Sequence, residues 1–246
     1  MTTSKNDGMT HTEEHVLVIN NGHLRQILDA TGLHHASEPE MPEGFVPCKT
    51  TEVIVDILED AYFMPRAEAE LDFECKQIIP YISFIHSFAL FNYYRSPKSG
   101  EDRLVGKRSV GVGGHINPID AKDHKYPAIQ NALINGIHRE MAEEVSGISD
   151  EEMESLRFIG LINTETVEVG KVHLGLSFMV KLAAPTLVPV EDALHNHGFH
   201  SLEALRGLGS RDELEPWSLI LAEALWMGQI PSINADQSLE TLNPSS

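Results

Sequence analysis

The reading of this chain turns on Arg139-Glu140-Met141-Ala142-Glu143-Glu144-Val145-Ser146-Gly147-Ile148. Glu140, Glu143 and Glu144 fall at i, i+3 and i+4, so on a helix they share one face. Ile134, Ile137, Met141 and Val145 recur at spacings of three and four, which is an apolar helical stripe on the other side. Pro127 suits the first turn of that helix and Gly147 its stop. Arg139 stands four positions before Glu143, where its guanidinium can brace that carboxylate. Three carboxylates in the last turns of a helix are costly. The dipole disfavours each by about 0.3–1 kcal/mol, and they repel one another. A hard divalent cation reverses both penalties. The glutamates alone leave a solvated acidic face as an equal alternative.

Upstream lies Ser109-Val110-Gly111-Val112-Gly113-Gly114-His115, a strand running into glycines. Glycines there permit close backbone approach to a ligand or another element. No Gly-Lys-Ser/Thr follows, so this is not a P-loop.

Together the two segments resemble the Nudix box, G-x5-E-x7-R-E-U-x-E-E-x-G-U with U apolar. Arg139 to Glu144 is an unbroken R-E-U-x-E-E, Gly147-Ile148 supplies the terminal pair one residue late, and Gly113-Gly114 matches the glycine opening. The resemblance extends over residues 73–228. Two departures stand out. Gly114 to Arg139 spans 25 positions where the box has 14, an excess of 11. The box glutamate eight positions before the arginine is Asn131. The excess is read as a loop inserted at Asn117–Tyr126, which contains Asp120, Lys122, Asp123, His124 and Lys125.

The resemblance implies an α/β fold, a Nudix-like α/β/α sandwich with a mixed β-sheet and an N-terminal α/β extension. Residues 1–72 are expected to form the extension, 73–228 the hydrolase domain and 229–246 a flexible tail. The implied activity is hydrolysis of a phosphoanhydride in a nucleoside diphosphate-linked or related small molecule, dependent on Mg²⁺ or Mn²⁺. Glu140, Glu143 and Glu144, with the backbone at Gly114, are the implied metal ligands. Glu140 is also a candidate general base, with Arg139 orienting a glutamate. Gly113, Gly114 and His115 are the expected substrate-binding segment. Glu165, Glu168, Glu213 and Glu215 are unranked candidates for a base from a loop. The alternatives are a non-catalytic ligand sensor on the same fold and, last, an isoprenoid diphosphate isomerase, which needs a reactive cysteine.

Composition fits this reading. The chain has 246 residues, 18 basic against 37 acidic, and a formal charge of −19, which argues against a general nucleic-acid binder. Hydrophobic content of 41% is globular rather than disordered. Cys48 and Cys75 are too few for a disulfide scaffold or a four-cysteine zinc site, and are expected to be inert thiols of a cytoplasmic protein. The most apolar run, Ile78 to Phe91, is shorter than the roughly 18 residues a spanning helix needs, so no membrane partner is expected. A homodimer is the assembly allowed for.

Local patterns give a strand at His15–Asn20 leading into a helix, a loop at Glu38–Pro47, and strands at Gln77–His86, Ala89–Arg95, Arg103–Val112, Arg157–Thr164 and His173–Leu182. Pro80 suggests that the first of the later strands lies at an edge or a bulge. Thr51–Ala61 fits either a helix or a strand. Phe199–Leu205 reads as a short helix or turn, and Leu214–Trp226 as a helix burying Trp217 and Trp226. His195, His197 and His200 fit a polar loop better than a zinc site. His173 alternates as a strand residue that could face the pocket, and Arg66 could hold phosphate or an acid.

Overall fold

A computed structural model describes residues 13–35, 37–38, 40–95, 106–122, 128–190, 194–209 and 212–230. The expected turn at 96–100, the 117–126 loop beyond 122, Pro127 and most of both tails lie outside them. The strands are β1 (His15–Asn20), β2 (Gly44–Pro47), β3 (Tyr62–Pro65), β4 (Cys75–His86), β5 (Ala89–Arg95), β6 (Arg108–Ser109), β7 (Gly111–Val112), β8 (Val145–Ser146), β9 (Arg157–Asn163), β10 (His173–Lys181), β11 (Val188–Pro189) and β12 (Leu194–Ser201). The helices are α1 (Asn21–Ala30), α2 (Glu52–Glu59), α3 (Arg66–Ala69), α4 (Ala128–Glu144), α5 (Asp150–Met153), α6 (Glu168–Lys171), α7 (Leu202–Gly209) and α8 (Pro216–Trp226). Among the described residues no helix is long and apolar enough to cross a membrane.

The main sheet runs β12-β5-β4-β10-β9-β2, with β1 and β7 both paired to β4, β3 to β1 and β6 to β5. β4 and β10 are parallel and their other neighbours antiparallel, so the sheet is mixed. Side chains alternate between its faces. Ile78, Ile82 and Phe84 of β4, with Leu174, Leu176 and Phe178 of β10, face the layer of α1, α2 and α4. Ile79, Tyr81 and Met179 face Leu205 of α7 and Trp217 and Leu221 of α8. Helices on both faces make the expected α/β/α sandwich, and each fully buried Ile, Leu or Phe contributes about 1.5–3 kcal/mol. The N-terminal extension shares this core: β1 and β3 join the same sheet, and Leu24, Ile54 and Ile57 pack with Ile137 and Met141.

Several expectations are corrected. The Glu38–Pro47 loop contains strand β2, whose edge position beside β9 tolerates Pro47. Residues 199–201 belong to strand β12, and the following helix begins at Leu202. The three histidines at 195, 197 and 200 therefore lie on a strand rather than in a polar loop. Thr51–Ala61 resolves as helix α2.

Pro80 lies in a central strand, not at an edge. The reason is local. Gln77 donates its N–H toward the β10 side, so the backbone at Ile78, Pro80 and Ile82 faces the opposite flank. On that flank β1 pairs with residues 75–77 and β7 with residues 82–83. Neither strand pairs with Pro80, whose missing N–H therefore breaks no ladder. Gly113 passes there instead, so close that a Cβ on it would lie 1.9 Å from the Pro80 carbonyl oxygen. Gly113 also has a φ of +155°, which disfavours other residues. This interruption of the sheet brings the glycine segment up to the end of α4.

Candidate active site

Arg139 organises the site. Its Nε donates to Oδ1 of Asp120 at 2.9 Å and its Nη2 to Oδ2 at 3.0 Å. Nη1 donates to Glu140 at 2.7 Å and, more loosely, to Glu143 at 3.4 Å. Nη2 also donates to the His115 carbonyl at 2.9 Å. All five N–H donors of the guanidinium are thereby engaged. Asp120 is buried in a 3-10 turn, Pro118–Ala121, where its carboxylate also accepts from the Asn117 backbone N–H at 2.9 Å. Its carbonyl accepts from Asn135 of α4 at 2.8 Å.

The Glu140 carboxylate packs against Gly114. A Cβ at 114 would meet its Cδ and both oxygens at 2.6 Å, so only glycine leaves it room. Burial pushes the Glu140 carboxyl above its ordinary range, against the pull of Arg139. Glu143 is exposed and Glu144 half-buried at the end of the helix. Among the described residues, the three glutamates do not form a cluster with all ligand atoms within 4.8 Å; Glu70, His115 and His173 do.

Beside Gly113, Gly114 and His115 opens a cleft of about 120 Å³, walled by Ile79, Tyr81, Trp217 and Val169 and reached by Arg95, His173 and Glu215. Glu215 caps α8 and accepts hydrogen bonds from Tyr81 at 2.7 Å, the Trp217 N–H at 2.9 Å and the Ser218 N–H at 2.8 Å. Burial, reinforced by this carboxylate, pushes the Tyr81 hydroxyl well up, so it stays a donor. Burial works against the charge on Arg95, but Tyr93, Glu144 and Glu215 hold it firmly protonated, and its buried Nε has no hydrogen-bond partner. His115 is pushed down to about 3 by burial and by Arg66, His173 and Arg139, so its imidazole is neutral near pH 7.

The Arg139 guanidinium thus gathers Glu140, Glu143 and the His115 carbonyl, with Gly114 seated against Glu140. Of the four loop glutamates, Glu215 is the one that lines this cleft, and its oxygens already accept several donors. Glu165 pairs with the buried Lys76 at 2.7 Å and Glu168 with Lys171 at 2.6 Å. His173 does face the cleft. Arg66 pairs with Glu14 at 3.0 Å and lies 3.7 Å from Glu70. Trp226 is 47% exposed beneath Arg206 rather than in the core, because it is the last residue of α8, while Trp217 lies in the buried first turn. Both thiols are buried. Cys48 is pushed up to about 12 by burial, and Cys75 lies 3.1 Å from the Tyr62 hydroxyl.

No protein-family model matches the sequence. Protein YmaB of Bacillus subtilis (strain 168) is 32% identical over 179 residues, 72% of this chain and 84% of its own length. That makes the chain a member of the YmaB family. Among solved structures, Tm1382, described as a candidate Nudix hydrolase, aligns with a TM-score of 0.65 and 27% identity over 86% of this chain and 98% of its own. The chain belongs to the Nudix superfamily.

The Nudix box can now be set in register. Gly114-x5-Asp120 reproduces the spacing of its glycine and first acid, with aspartate for glutamate. Asp120 is therefore not part of an inserted loop at Asn117–Tyr126. The extra residues follow it, and Asn131, buried in α4, is not the counterpart of the box acid. The spacing alone could have identified Asp120. No spacing in the sequence marks Arg95, which reaches the site through β5, as Tyr81 does through β4.

Proposed function

We propose that this protein hydrolyses a phosphoanhydride bond in a nucleoside diphosphate-linked or related small molecule, using Mg²⁺ or Mn²⁺. The observation that supports this best is the Glu140 carboxylate, desolvated, seated on Gly114 and tied by Arg139 to Asp120 and Glu143. A buried carboxylate facing a backbone segment is a hard-oxygen donor set of the kind these cations take. Glu140, Glu143, Glu144 and the Gly114 carbonyl would hold the metal. Glu143 is exposed enough to rotate toward it at little cost. A bound cation would neutralise the diphosphate and lower the pKa of an attacking water.

The chain's own groups divide the remaining work. Arg139 is a positioning residue, fixing Glu140 relative to the glycine segment. Arg95 offers an unpartnered donor to a phosphate oxygen, with charge assistance. Tyr81, Trp217 and Ile79 supply an apolar wall that excludes water. The sensor reading rests on Asn131 in place of a box acid and on the insertion; Asp120 supplies an acid at the box spacing and removes the first motive, while the insertion remains. The isomerase reading needs a thiol at the site, and neither cysteine lines the cleft. The free thiols suit a cytoplasmic setting.

The test is phosphate-coupled turnover over nucleoside diphosphate derivatives, dinucleoside polyphosphates and nucleoside triphosphates, each with Mg²⁺, Mn²⁺ or EDTA. Cleavage of one group that EDTA abolishes supports the proposal. Silence across the panel with ligand-induced thermal stabilisation points to a sensor.

A further inference from the structure

We infer that Glu70, His115 and His173 form a second metal site, suited to a borderline first-row cation such as Zn²⁺ or Co²⁺ and distinct from the carboxylate site at Glu140–Glu144. Their ligand atoms all lie within 4.8 Å of one another. They converge from three separate parts of the chain: the end of α3, the residue after Gly114, and the first residue of β10. Two imidazoles and one carboxylate select against Mg²⁺, which prefers oxygen, and for cations that accept nitrogen.

Three further observations agree. The His173 Nδ1 donates to the Val169 carbonyl at 2.6 Å, which places the lone pair on Nε2, the orientation that metal-bound histidines share. The His115 Nε2 is buried and has no hydrogen-bond partner. Gln77 stands opposite His173 in the β4–β10 register, hence on the same face, and buries an amide whose oxygen and nitrogen both lack partners. A buried amide left unsatisfied is costly, and a metal with a bound water gives it a partner.

The nearby cations do not forbid the site. Arg66 is paired with Glu14, and Arg139 with Asp120 and Glu140. Arg66 lies 3.7 Å from Glu70, a loose contact that a metal can replace. Because His115 and His173 both line the cleft, the cation would keep an open coordination face toward it. It would also tie the N-terminal extension, through Glu70, to the glycine segment.

The site is tested with Co²⁺ alone, read by its visible ligand-field absorption and by displacement with Zn²⁺. The intact protein is expected to give an absorption band that Zn²⁺ abolishes. E70Q and H173N should weaken Co²⁺ binding at least ~10-fold, while a protein carrying E143Q and E144Q keeps the band. Thermal melts confirm that each variant is folded. As a second readout, Zn²⁺ should shift the imidazole nitrogen resonances of His115 and His173. An absent band in the folded wild type, or a band lost with E143Q and E144Q but retained in E70Q and H173N, overturns the inference. Neither result bears on whether the carboxylate site hydrolyses phosphoanhydrides.

Discussion

Arg139 grips Asp120 with two parallel hydrogen bonds, Nε to Oδ1 at 2.9 Å and Nη2 to Oδ2 at 3.0 Å, although the two residues lie 19 positions apart in sequence. The pair is mostly removed from solvent, and Asp120 is also stitched into its own turn. Removing one partner of such a pair strands the other. Asp120→Ala should lower the unfolding free energy by about 2–4 kcal/mol and reduce turnover, because Glu140 loses its fixed neighbour. Asp120→Glu, which restores the acid of the box, should recover much of the turnover. Urea denaturation and turnover, measured together, check both; an unchanged Asp120→Ala protein would contradict the assigned role.

Gly114→Ala tests the contact with Glu140. A methyl group there meets the carboxylate at 2.6 Å, so one or the other must move. Overpacking costs typically about 1–3 kcal/mol. Turnover should fall at least ~10-fold, because the displaced group is the carboxylate proposed to hold metal. Metal affinity by calorimetry should fall with it.

Arg95→Met removes the unpartnered donor in the cleft with little change of shape. A hydrogen bond to a charged group contributes about 1.5–3 kcal/mol, so KM should rise about 10-fold or more. Divalent-metal affinity should hold or increase, since a cation near Glu144 is lost. A rise in KM together with weaker metal binding would place Arg95 elsewhere in the mechanism.

His34 gives a pH signature remote from the site. Its hydrogen bond to Asp29 at 2.5 Å raises its pKa above the ordinary histidine value. A raised folded-state pKa means that the native state holds the proton more tightly. The pairing therefore stabilises fully below the ordinary value and is lost as pH rises through the folded one. The Tm difference between wild type and Asp29→Asn should shrink over that window. Proton resonances of His34 should titrate above those of a free histidine.

The helix of Arg139–Glu144 and the strands β1 and β5 were legible because their periodicity is local. Pro80 misled for the opposite reason. Its tolerance depends on where β1 and β7 stop pairing with β4, which involves residues far away in sequence. The prolines around Gly44–Pro47 suggested a loop, while the open edge of β9 made a strand there acceptable. Asp120 falls inside the expected insertion when residues are counted back from Arg139, because that count assumes an unbroken box; counting forward from Gly114 reaches it directly. Glu70, His115 and His173 lie in three separate stretches and share no spacing rule, so only the fold brings them together.

The Glu140–Glu144 face carries the proposed metal-dependent chemistry. It is tested most directly by turnover of the best substrate from the panel, with Mg²⁺ or Mn²⁺, in wild type and in the separate variants Glu143→Gln and Glu144→Gln, with circular dichroism to confirm the fold. Each variant is expected to lose at least ~10²-fold in kcat/KM, about 2.7 kcal/mol of transition-state stabilisation, while remaining folded. Two folded variants with wild-type turnover would mean that the hydrolytic site lies elsewhere.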